Sequence, residues 1–105
     1  MLSTHRALSQ ESQVFTNKLK QLDLRAIAYQ LMYSDEGTRW TLEQTNQAIS
    51  NYSMFLYLIY LYPHLQLVPS QEIDRVWHQH ILDTFKYAEA CEFLFGRLIL
   101  HYHYF

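Results

Sequence analysis

The stretch from Ser70 to Gly96, SQEIDRVWHQHILDTFKYAEACEFLFG, decides how the rest of the chain is read. Ser70 follows Pro69 and has the side chain of an N-cap, with Glu72 and Asp74 in the first turn, where the helix dipole favours anions. Ile73, Val76 or Trp77, His80, Thr84, Tyr87, Cys91 and Leu94 then recur at steps of three and four, the stripe of a core-facing helix. Gly96 supplies a C-terminal stop and Arg97 a favourable charge beside it. The spacing predicts one helix over 71–95.

The same periodicity continues upstream. A first amphipathic helix is expected over 7–21, with Leu8, Val14 or Phe15, Leu19 and Leu22 on one face; residues 1–6 are expected to be disordered. Asp23 can cap a short second helix, LRAIAYQLMYS, that turns Leu24, Ile27 and Leu31 inward. DEGTR breaks it, with Gly37 free to take a positive φ. Thr41-Leu-Glu-Gln44 reads as a capping box opening a third helix, with Trp40 stapling its start. Ile49, Tyr52, Leu56 and Ile59 follow at helical spacing until Pro63 removes the next donor. HLQLVP is an extended connection, and LILHYHYF is a tail, either a last turn or an extended segment across the bundle. The fold class expected is all-α, a compact bundle of about four helices with the C-terminal tail packed on it.

Composition narrows the function classes. The 105 residues suit one domain; half are hydrophobic, and nine tyrosines against six phenylalanines place many rings at the core edge. Eight basic and ten acidic residues, with no basic run, lack the footprint of a nucleic-acid binder. The most apolar run, MFLYLIYLY at 54–62, falls well short of the roughly 20 residues that span a bilayer. The polar N-terminus is unlike a signal peptide. A lone cysteine excludes an internal disulfide and suits a reducing compartment. A cytoplasmic protein with no nucleic-acid or membrane partner is expected.

The histidines carry the chemistry. His78 and His80 point roughly 200° apart on a regular helix, so they cannot share one metal there. His80 lies mid-stripe, and a buried imidazole needs partners for its ring nitrogens. Asp83, Thr84 or Tyr87 could supply one, and a neighbouring helix or the tail the other. Three readings of His80 stay open: a satisfied core histidine, a general base in a small-molecule pocket, or a ligand in a zinc or iron site. The metal site would combine His78 or His80 with His101 and an aspartate, Asp83 or Asp74, if the tail folds back. Asp74 and His78, four residues apart, are expected to form a solvated pair. Cys91 reads as a small buried hydrophobe.

Residues 67–105 resemble the glycine-rich domain-containing protein-like family, in its short bacterial branch. The run carrying the resemblance is an acidic residue, then W-H-x-H-x-L-x-T, a tyrosine, a cysteine, F-G and a terminal His and Tyr-Phe. Here these are Asp74, Trp77, His78, His80, Leu82, Thr84, Tyr87, Cys91, Phe95, Gly96, His101, Tyr104 and Phe105. His103 stands where the family pattern has proline, so it is a poor candidate for a shared role. The resemblance implies membership and no reaction, because the family has none assigned. With no complete catalytic set, the expected function is a small accessory or interaction module, working through a protein partner or self-association. The alternative is a zinc or iron protein using His78, His80, Asp83 and His101.

Overall fold

The computed structural model describes residues 2–33 and 39–101, with side chains described over 10–33 and 39–101. Among these residues the chain is all-helical, with five helices: α1 (Leu2–Lys20), α2 (Arg25–Tyr33), α3 (Leu42–Leu61), α4 (Gln71–Leu82) and α5 (Thr84–Phe95). Gly37, His103, Tyr104 and Phe105, and the side chain of Leu8, lie outside what is described.

The local signals operate where the sequence puts them. The Asp23 carboxylate accepts the backbone N–H of Arg25 at 3.1 Å and grips the Arg25 guanidinium with both oxygens. That exposed pairing holds the Asp23 carboxyl well below the usual carboxylate range. The Thr41 hydroxyl accepts from Gln44 N–H at 3.1 Å, and Trp40 donates its backbone N–H to the Leu31 carbonyl, tying α2 to the start of α3. Ser70 accepts from Ile73 N–H to open α4.

One helix expected over 71–95 is two. Asp83 leaves the helical region at φ −88°, ψ 77°, closing α4 and opening α5 by accepting Lys86 N–H on its carboxylate. Asp and Thr are weak helix formers and Asp is a strong N-cap, so Asp83-Thr84 is a natural breaking point. The break also removes Thr84 from the buried stripe: it begins α5 exposed, while Tyr87, Ala90, Cys91 and Leu94 face inward.

α3 is the central post. It packs on α4, α2 leans against both, α5 lies on α4, and α1 closes the assembly against α3 and α5. Phe15 anchors α1: its ring stacks on Tyr60 at 4.2 Å and meets Phe95 at 5.5 Å. The core joins Ile27 and Leu31, Ala48, Tyr52, Phe55 and Leu56, Val76 and Trp77, and Tyr87, Cys91 and Leu94.

α5 ends at Gly96, whose φ of +70° satisfies the left-handed cap, its N–H reaching the Glu92 carbonyl. A Cβ added there would meet nothing within 4 Å, so only the backbone resists it. Gly96→Ala is expected to cost about 1 kcal/mol, seen as a lower urea midpoint with an unchanged slope, and Gly96→Asn less. From residue 97 to 101 the chain is not helical, and Ile99 is buried against the bundle.

Candidate functional site

Two polar residues sit in the middle of two apolar stripes and meet. Tyr52 of α3 is fully buried, His80 of α4 is 3% exposed, and the Tyr52 hydroxyl lies 2.7 Å from His80 Nδ1. Both rings are locked by their helices: Tyr52 stands one turn from Ala48 and Leu56, and His80 one turn from Val76 and Trp77. Burial pushes the Tyr52 hydroxyl well above its ordinary pKa. Burial also brings His80 down to about 4; the nearby Asp83 carboxylate opposes that shift and Lys86 adds to it. The imidazole is therefore neutral at neutral pH. Tyr87 presents its ring face-to-edge to His80 at 5.1 Å between centroids.

Tyr87 was a candidate hydrogen-bond partner for His80, but its hydroxyl is committed elsewhere. It accepts the indole N–H of Trp77 at 2.9 Å and donates to the Ile99 carbonyl at 2.5 Å. Burial raises the Tyr87 pKa, partly offset by the donation from Trp77. This chain of bonds crosses from α4 through α5 to the tail. A second clamp lies one turn away, where His101 Nε2 and Asp74 Oδ1 are paired. The His101 ring also rests edge-on against Trp77, at 4.3 Å between centroids. Trp77, in contact with Phe55 as well, is the common member of both clamps.

The candidate metal ligands go to different places. His101 joins Asp74 at the start of α4, six residues and about 9 Å of helix from His80. His78 points outward and is exposed, and Asp83 caps α5. The Asp74–His78 pair expected from the i, i+4 spacing is replaced by Asp74–His101. Among the described residues no three His, Cys, Asp or Glu side chains come together as a metal site. Cys91 is buried and free, close enough to Tyr87 to help raise its pKa. Tyr104 of the motif lies outside the described residues.

Two clefts flank this core. One, about 460 Å³, lies between the α1–α2 connection and α5, and His80 forms part of its wall. The other, about 410 Å³, lies between the α3–α4 connection and the tail, with Trp77 in its wall. No helix among the described residues is long and apolar enough to cross a membrane.

Helical spacing places Tyr52 in the α3 stripe and His80 in the α4 stripe, but it does not pair them. No family model, curated protein or solved structure matches the chain.

Proposed function

We propose that the chain is a cytoplasmic helical interaction module whose docking surface is the cleft between the α3–α4 connection and the C-terminal tail. The observation that carries this reading is a trio of leucines. Leu65, Leu98 and Leu100 are 61, 52 and 58% exposed, and all three line that one cleft. Exposed leucines scattered singly are ordinary. Three on two separate segments, beside Ile59, Leu67 and Ile99 and among the polar His64, Gln66 and Arg97, give the cleft the mixed apolar and polar lining of a binding face.

The occupant proposed is a protein segment that presents apolar side chains and a carboxylate. The leucines take the first and Arg97, on the same lining, takes the second. The resemblance to the glycine-rich domain-containing protein-like family fits this reading, and we propose membership with it. Its motif residues Asp74, Trp77, Tyr87 and His101 then have one shared task, holding the tail that forms a wall of the cleft.

The test is association of tagged wild type against Leu65→Asn/Leu98→Asn. Both side chains are exposed, so helicity and melting should be retained, while partner affinity should fall ~10-fold or more. Tyr29→Ser/Tyr33→Ser, on the exposed face of α2, should leave association intact. A dimer in sedimentation that the leucine pair breaks would make the occupant a second copy. Association equal in wild type and the leucine variant would overturn the reading.

A further inference from the structure

The cleft beside His80 shares no residue with the one just described. Its walls come from Leu22 and Leu24 on one side and Lys86, Glu89 and Phe93 of α5 on the other, with His80 between them. The orientation of the His80 proton decides what such a cleft can hold.

Tyr52 fixes that orientation. Its hydroxyl is buried and has one hydrogen-bond partner among the described residues, His80 Nδ1. A hydroxyl carries a single donor hydrogen, and leaving it unused in a buried site is costly. If Nδ1–H donated to the tyrosine oxygen, that O–H would have nowhere to go. Tyr52 therefore donates and Nδ1 accepts. A neutral imidazole accepting at Nδ1 carries its proton on Nε2.

Nε2–H then needs an outlet. It has no hydrogen-bond partner among the described residues, yet no fully buried side-chain nitrogen or oxygen there is without one. Nε2 is therefore not fully enclosed, although the residue is only 3% exposed, and His80 is part of the wall of this cleft. A protonated Nε2 offers no lone pair to a metal; it is a neutral donor waiting for an acceptor oxygen.

The charges around it complete the pattern. Lys86 lies near enough to act on His80 electrostatically. Asp23, at the same mouth, is already held by Arg25. Glu89 in the lining and Asp83, whose charge also reaches His80, supply two further carboxylates, which disfavour a multiply charged anion such as phosphate. Leu22, Leu24 and the partly exposed Phe93 ring give an apolar wall, and Lys18 Nζ sits 5.4 Å from the centroid of that Phe93 ring.

We propose that this cleft binds a small organic carboxylate with a flat apolar body, whose oxygen accepts the Nε2–H of His80 and whose charge meets Lys86. The body lies along Leu22, Leu24 and Phe93. Volume is no obstacle, since about 460 Å³ is within the range of small-molecule sites. The site stands independently of the leucine cleft and of any protein partner.

Long-range proton–nitrogen NMR of the full chain at neutral pH tests it, with phenylacetate as the probe and benzyl alcohol and inorganic phosphate as controls. The expected record is an Nε2–H tautomer for His80, and saturable shifts at His80 Nε2–H and Phe93 on adding phenylacetate. Both controls should be weaker. Lys86→Gln, an exposed change that leaves the core untouched, should weaken phenylacetate binding ~10-fold. An Nδ1–H tautomer would overturn the proposal. So would the absence of saturable shifts up to tens of millimolar phenylacetate, phosphate binding as well as phenylacetate, or affinity indifferent to Lys86→Gln.

Discussion

Tyr87→Phe is expected to lower the unfolding free energy by about 2–4 kcal/mol, although it removes a single oxygen atom. That oxygen accepts from the Trp77 indole and donates to the Ile99 carbonyl. Phenylalanine would keep the ring in place and leave a buried N–H and a buried C=O without a protein partner, each worth about 1–3 kcal/mol of desolvation. The Ile99 carbonyl can recover part of its share if the tail lifts into water; the indole, only 3% exposed with the tail in place, is wetted only by that same opening. At roughly 4–8 °C for each kcal/mol the melting midpoint should fall by more than about 8 °C. Tyr62→Phe, at a half-exposed tyrosine, is the control and should stay within about 0.5 kcal/mol. A Tyr87→Phe loss no larger than the control's would mean that the hydroxyl does not bridge α4 and the tail.

Acid is the second strong lever. The folded protein holds His80 at a pKa of about 4 against an ordinary 6.5, so the unfolded chain binds a proton that the folded one refuses. Stability from this group is fully present above pH 6.5, declines as pH falls, and levels off below about 4. The whole shift would correspond to about 3 kcal/mol; solvent reaching the Nε2 edge screens the charged form and leaves about 2. Urea midpoints at pH 7, 5.5 and 4.5 should therefore converge between wild type and His80→Gln as the pH drops. Glutamine can still accept the Tyr52 hydroxyl but has no proton to gain. Parallel pH profiles for the two proteins would remove His80 as the acid-sensitive group.

Helix class and four of the helix ends were legible because their causes are local, whereas the start of α1 at Leu2, expected at residue 7, had no such signal. Thr41, Ser70, Pro63 and Gly96 each act on the backbone within a turn, so each could be read from its neighbours. The break at Asp83 was hidden by its own surroundings: the steps from His80 to Thr84 to Tyr87 keep a helical count across it, and no Gly or Pro marks it. Only the pairing of two weak helix formers, one of them a good cap, carried the signal.

Side-chain partners were harder for a different reason. His80 could be placed in the core, and a partner on a neighbouring helix could be required of it, yet choosing Tyr52 among nine tyrosines needs the rotation of α3 against α4. The pull of Asp74 toward His101 rather than His78 likewise depends on where the tail lands. Spacing along one helix describes who could meet within it. It is silent on a competitor arriving from 27 residues away.

The two clamps on the tail differ from every helix contact in what is lost when they let go. Residues 97–101 have no helical ladder of their own; they are held by Tyr87 at Ile99 and by Asp74 at His101. Both bonds can open without unwinding a turn of α4 or α5, so this segment can leave as a unit while the helices stay native. Its departure would uncover the Trp77 indole and dismantle one wall of the leucine cleft in the same event. How often that wall is absent sets the fraction of molecules ready to bind at any moment.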